Sequence, residues 1–125
     1  MTFHVERIDH VVLRCRDLAG MVRFYEQALG FNVERKLDRI SLVQMRAGAS
    51  LLDLIAAERP TDAANMDHLC FRIEPFDRDA IVTRLAPFGI SVGETVERYG
   101  AEGNGPSVYF HDPEGNQIEL KGPAR

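Results

Sequence analysis

Cysteine is scarce in this sequence. Cys15 and Cys70 are the two present among 125 residues, too few for a disulfide scaffold, and a chain of this length buries an ordinary core without covalent or metal staples. Cys15 lies an odd number of residues from His10 and Cys70 an even number from His68. The alternation of side chains along a strand therefore sets them on opposite faces and argues against a bridge. Both read as small core hydrophobes, with Cys70 sharing the face of His68 and placed to line a cavity. Long apolar runs are missing as well, so no membrane span is expected. Residues 1–7 are polar and charged and show no targeting segment, which makes a cytoplasmic location the expectation. With 15 Lys and Arg against 19 Asp and Glu and a net charge of -4, the chain has no basic stripe of the kind nucleic acid requires. No serine sits in a nucleophile elbow, and the glycine-rich run 100–105 opens no helix and so is no phosphate loop. What these absences leave is a globular domain that acts on a small molecule, with neither nucleic acid nor membrane as partner.

The feature that is present is a repeat. Asp9-His10 recurs as Asp67-His68, each opening a mostly apolar run, and Leu52-Asp53-Leu54 is answered by Ile118-Glu119-Leu120. The elements between repeat in the same order. Residues 8–15 read as a strand, Asp17 as the N-cap of a helix with Leu18, Met21, Val22, Tyr25, Ala28 and Leu29 on its apolar side, and Gly30 as its stop. Strands follow at 31–37, 40–45 and 51–56. After a linker at 58–65 come a strand at 66–73 and a helix from about Asp77 carrying Ile81, Leu85 and Phe88, which Pro87 and Gly89 end. Strands at 90–96, 107–111 and 117–121 complete the order. The segment 99–106 reads as a long, mobile or ligand-facing loop. The chain 1–125 is thus expected to be a single domain of two modules, about 6–57 and 66–122, related by duplication.

Residues two apart on a strand share a face, so His10 stands with Ile8, Val12 and Arg14, and His68 with Cys70 and Arg72, while Asp9 points the other way. Asp53 and Glu119 similarly oppose the leucines and isoleucine beside them. Leaving such groups buried without partners would cost about 1–3 kcal/mol each. A divalent metal held by two imidazoles and one or two carboxylates removes that cost and keeps open positions for substrate, which suits Zn, Ni, Co, Mn or Fe. The alternative is that each histidine is an ordinary hydrogen-bonded strand residue and each carboxylate pairs with Arg14, Arg72 or Lys121. Around a cavity those three cations would suit a substrate bearing carboxylate, phosphate or enolate. Tyr109 joins Arg14, Arg72 and Lys121 as a substrate-binding candidate. His4 and His111 are not assigned to the metal.

Ile8-Asp9-His10-Val11, Phe24-Tyr25 with Leu29-Gly30-Phe31, Asp67-His68, and above all the run 109–120 ending Gln117-Ile118-Glu119-Leu120 resemble the vicinal oxygen chelate superfamily, the glyoxalase, bleomycin-resistance and extradiol dioxygenase group. The resemblance implies an α+β fold of two βαβββ modules forming a cupped mixed sheet with helices on the outer face, around a divalent metal and often in a homodimer. It implies His10, His68 and Glu119 as ligands and Asp53 at the fourth position, where glyoxalase I-like members carry a glutamate that is ligand and catalytic base. Aspartate there is shorter by one methylene, roughly 1.5 Å of reach. The leading activity is glyoxalase I-like, lactoylglutathione lyase chemistry through a metal-chelated enediolate, with Asp53 and Glu119 as catalytic residues. Ring cleavage of a catechol by an Fe(II) dioxygenase, or non-catalytic binding of an antibiotic, are the alternatives.

Overall fold

Asp17 starts the first helix by the device its position suggests, its Oδ1 accepting the N–H of Gly20 at 3.0 Å and so satisfying one of the donors a helix leaves open at its start. The computed structural model describes residues 4–58 and 64–125. The chain divides into two compact units, Met1–Thr61 and Asp62–Arg125. Residues 59–63 of the expected linker lie outside the described residues.

The first unit runs β1 (His10–Cys15), α1 (Leu18–Gln27), β2 (Asn32–Leu37), β3 (Leu42–Ala47) and β4 (Ser50–Ala56). Its sheet has the order β1-β4-β3-β2. β1 and β4 are parallel and the other pairs antiparallel, because a helical crossover lets the chain return to the same direction whereas the tight turns reverse it. Gly30 at φ 75° closes the helix, its N–H and that of Phe31 donating back to the carbonyls of Glu26 and Tyr25. α1 packs on β4 and β2. The shared core is Leu13 and Cys15 of β1, Met21, Phe24 and Tyr25 of the helix with Ala28 after it, Val43 and Met45 of β3, and Leu52 and Leu54 of β4. Tyr25 meets Phe24 edge-on at 5.2 Å and stacks on Phe31 at 5.5 Å. Burial of each large apolar side chain contributes about 1.5–3 kcal/mol. The opposite face of β1 carries His10, Val12 and Arg14, all exposed.

The second unit repeats the plan: β5 (Leu69–Arg72), α2 (Arg78–Leu85), β6 (Val96–Gly100), β7 (Gly103–His111) and β8 (Gln117–Lys121), in the order β5-β8-β7-β6. The fold is therefore α+β, two βαβββ units each built on a four-stranded mixed sheet. Asp77 caps α2 as Asp17 caps α1, accepting the N–H of Ala80 at 3.2 Å. Pro87 does not stop the chain at once; it sits early in a 3₁₀ turn, Ala86–Phe88, where its missing N–H is tolerated, and Gly89 at φ 72° ends it. Among the described residues of this unit, Val108, Phe110, Ile118, Leu120 and Leu85 are the buried apolar ones. Asp112 pins the turn between β7 and β8: its Oδ1 accepts the N–H groups of Glu114 and Asn116, and its Oδ2 the side-chain amide of Asn116.

Two expectations are corrected here. The strand expected at 90–96 is absent, since β6 begins at Val96. The expected loop at 99–106 is instead a hairpin in which Gly100 pairs with Gly103 across the two-residue turn Ala101-Glu102, and Arg98 pairs with Gly105. Glycine usually weakens a strand and signals a loop, but it also marks close approach. A Cβ on Gly105 would stand 2.6 Å from the carbonyl oxygen of Pro123 and 3.0 Å from Lys121 Nζ. The chain after β8 runs beside β7, Gly122 and Arg125 donating to the carbonyls of Pro106 and Asn104 at 2.8 Å each. Among the described residues no helix is long and apolar enough to cross a membrane.

Candidate metal and substrate site

In the first unit His10 stands at the start of β1, and Asp53 faces Val12 across the parallel β1–β4 pair and Gln44 across β3–β4. Asp53 is 3% exposed. Its Oδ2 accepts from Gln44 Nε2 at 3.2 Å, and Gln44 Oε1 in turn accepts from Arg35 Nε at 2.5 Å. Oδ1 of Asp53 is buried with no hydrogen-bond partner among the described residues. Buried carboxylate oxygens are normally satisfied, so this one is an open acceptor.

Asp9 departs from the strand expectation. It precedes β1, so the pleat does not fix its side chain, and its Oδ2 lies 3.0 Å from His10 Nδ1. The carboxylate can only accept, so Nδ1 carries the proton and Nε2 keeps its lone pair for another partner. The hydrogen bond to Asp9, and after it the charge of Asp53, hold the His10 imidazole above its usual pKa.

The second unit repeats this arrangement more tightly. Asp67, also ahead of its strand, places Oδ2 at 2.6 Å from His68 Nδ1. His68 Nε2 then lies 3.4 Å from Glu119 Oε1. With Nδ1 protonated, a nitrogen lone pair faces a carboxylate oxygen, an arrangement that a cation between them satisfies. Glu119 is 5% exposed, and its Oε2 accepts from the buried Ser107 Oγ at 2.6 Å. Tyr109 pairs with Glu119 across β7–β8, receives Arg98 Nε on its hydroxyl at 3.2 Å, and meets the His68 ring edge-on at 5.9 Å. Burial first, and then the neighbouring Glu119 against the opposing effect of Arg98, push the Tyr109 phenol above its usual pKa.

Asp53 thus ends a cross-strand row, Arg35–Gln44–Asp53, whereas in the second unit Tyr109 is the cross-strand partner of Glu119 and Arg98, opposite Gly105, reaches the Tyr109 hydroxyl by its side chain. Gln44, Ser107, Arg35 and Arg98 are neighbours of these carboxylates or of Tyr109 that residue spacing did not reveal. The available signal was local: Gln44 is a polar residue between the buried Val43 and Met45, and Ser107 a polar residue beside the buried Val108.

A cavity of about 440 Å³ opens in the second unit beside His68 and Glu119, lined also by Cys70, Arg72, Lys121 and the hairpin at 99–102. Cys70 is exposed as a residue, yet desolvation of its thiol and then the charge of Glu119 push it up to about 11. Both cysteines are free, Cys15 buried and Cys70 on the open face. Arg72, a substrate-binding candidate, is engaged: it pairs with Glu102 at 2.6 Å and Glu74 at 3.7 Å and donates to the Ile73 carbonyl. Arg14 shares the exposed face of His10. His4 lies near Glu6 in the exposed N-terminal segment, and His111 is exposed at the end of β7.

The structure therefore brings His68 to Glu119 and sets His10 within the electrostatic reach of Asp53. Among the described residues no group of three or more His, Cys, Asp or Glu side chains forms a metal cluster; each unit presents one imidazole and one carboxylate. Imidazole and carboxylate donors suit a borderline divalent metal in kind, and in each unit taken by itself they leave an unsatisfied acceptor, Asp53 Oδ1 in the first and His68 Nε2 toward Glu119 Oε1 in the second.

Comparison with known proteins bears on the family and the fold. The chain is 38% identical over 126 residues to Virulence protein STM3117 of Salmonella typhimurium, covering 93% of this chain and 83% of that protein. The crystal structure of that protein superposes with a TM-score of 0.78 at 30% identity, over 98% of this chain and 100% of the other. Lactoylglutathione lyase from Agrobacterium tumefaciens matches at 0.70 and 25% identity over 94% of each chain. The genomically encoded fosfomycin resistance protein FosX of Listeria monocytogenes shares the fold at 0.77 with 16% identity, over 97% of this chain and 96% of its own. The family model for the Glyoxalase/Bleomycin resistance protein/Dioxygenase superfamily matches residues 7–120, and the chain belongs to that superfamily.

Proposed function

We propose that this protein is a metal-dependent enzyme of glyoxalase I-like type, with His10, His68 and Glu119 as metal ligands and Asp53 at the fourth position. A divalent metal, when bound, supplies Lewis-acid polarisation of adjacent oxygens on a small substrate. The observation that carries the reading is Asp53 Oδ1, a buried carboxylate oxygen with no hydrogen-bond partner among the described residues, on the same unit as a histidine whose Nδ1 is already engaged.

The chain's own groups divide the work. Asp9 and Asp67 hold the two imidazoles so that Nε2 is available. Ser107 fixes one oxygen of Glu119 and leaves the other toward His68. Gln44 fixes Oδ2 of Asp53, which leaves Oδ1 as the oxygen that would take a proton from a substrate carbon. Arg72, on the wall of the cavity beside His68 and Glu119, Tyr109, next to both of those residues, and Arg14, on the same strand face as His10, are the side chains that would meet the substrate.

Lactoylglutathione lyase activity is the test. After loading with Ni, Co, Zn or Mn, turnover of the hemithioacetal of methylglyoxal and glutathione supports the reading. No turnover with any of these metals contradicts it. Oxygen uptake with a catechol and Fe(II) would instead place the protein among the ring-cleaving members of its superfamily.

A further inference from the structure

Lys121 ends β8 on the face of Glu119 and, although a lysine, is 6% exposed. The strands beside it make room for its side chain. A Cβ on Gly100 would stand 3.0 Å from Lys121 Cε and 3.1 Å from Cδ, and one on Gly105 3.0 Å from Nζ. Glycine therefore occupies both places where the stem and head of the lysine pass. Among the described residues no carboxylate lies within ion-pair distance of the Lys121 ammonium and no side chain or carbonyl hydrogen-bonds it, while Arg72 on the same wall is already paired with Glu102 and Glu74. Its Nζ is not among the buried atoms left without a partner, so the stem is enclosed while the ammonium keeps access to open space. Lys121 faces a cavity of about 440 Å³, within the size range of ligand pockets.

We infer that this cavity is an anion subsite in which Lys121 Nζ seats the carboxylate of a small monoanionic ligand. One cation lacks a partner here, and the carboxylates of Glu119 and Glu102 line the same cavity, so a second negative charge on the ligand meets repulsion. A monoanionic carboxylate fits and a phosphate dianion does not. Cys70, Tyr99, Gly100 and Ala101 offer uncharged walls to its carbon body. Two residues along a strand span about 7 Å, so the seat lies that far along β8 from Glu119. As the seat of a substrate's tail, the subsite rests on the metal reading of His68 and Glu119, and it implies a substrate whose carboxylate is a few carbons from its reacting oxygens. As a binding site it stands without metal.

The test is amide NMR on metal-free protein titrated with butyrate, with its neutral isostere butyramide, and with inorganic phosphate, followed by butyrate on Lys121→Met. Butyrate should give saturable shifts at Gly100 and Gly105. Butyramide should bind about tenfold or more weakly, the size of one charge-assisted hydrogen bond, and Lys121→Met should lose butyrate binding by a similar factor. Equal binding of butyramide and butyrate to the unmodified protein overturns the inference even if Lys121→Met does not fold. Tighter binding of phosphate than butyrate overturns the carboxylate assignment. Butyrate selectivity in a protein that takes up no metal sustains the subsite and contradicts the metal reading; metal uptake without butyrate selectivity does the reverse.

Discussion

Ser107 Oγ donates to Glu119 Oε2 at 2.6 Å, inside the sheet and shielded from solvent. The bond holds one carboxylate oxygen and directs the other toward His68 Nε2. Such outer partners commonly govern metal affinity by factors of about 10–100. Ser107→Ala is expected to weaken metal binding by about that factor while the protein stays folded, as read by competition with a chromophoric chelator. An unchanged affinity would show that Ser107 has only a packing role.

His10 offers a pH test. Its raised pKa comes chiefly from the Asp9 hydrogen bond and secondarily from Asp53. A raised imidazole pKa favours the charged form in the folded chain. Its contribution to stability is therefore complete below pH 6.5, the ordinary value, and is lost as pH rises through the raised one. A proton on the ring competes with metal, so metal uptake should strengthen across that same rise. In metal-free Asp9→Asn the imidazole titration, followed by NMR, should move down toward the ordinary value. An unmoved titration would mean that Asp9 does not engage the ring in solution.

Cys70, with its thiol near 11, should react slowly. At pH 8 only about one thiol in a thousand is thiolate, which predicts disulfide-exchange reagents reacting about two orders of magnitude more slowly than with a free thiol. Cys15, fully buried, should stay silent until the protein unfolds. A rapid titration of one thiol in the native state would contradict this.

Asp112 tests the fold beneath the site. It accepts three hydrogen bonds within the β7–β8 turn and is 4% exposed. Asp112→Ala should cost about 2–3 kcal/mol in denaturant unfolding, and Asp112→Asn, which keeps one acceptor oxygen, less. Equal losses would show that the hydrogen bonds are not the source.

The parts of this fold readable from residues are those fixed by local physics. Asp17, Asp77, Gly30 and Gly89 mark helix ends through groups within a few residues of them, and the faces of Asp53 and Glu119 follow from alternation inside a strand. What escaped depends on partners distant in sequence or on where a strand begins. Asp9 and Asp67 stand before their strands, so alternation misplaced the Asp9 carboxylate and has no hold on that of Asp67. Gln44 and Ser107 matter through cross-strand register. The glycines of 99–106 belong to a hairpin because Lys121 and the segment 122–125 lie against it, a reason invisible in the segment itself. The candidate ligands were legible as residues, whereas the groups that orient them were not.

The proposed site turns on metal. Elemental analysis of protein purified without chelator, alongside His10→Ala, His68→Ala and Glu119→Gln of matched fold by circular dichroism, measures it directly. The expected result is near-stoichiometric divalent metal in the unmodified protein and a large loss in each variant. Absence of metal from the unmodified protein even after incubation with Zn, Ni, Co, Mn and Fe, or equal content in all four proteins, would contradict the assignment.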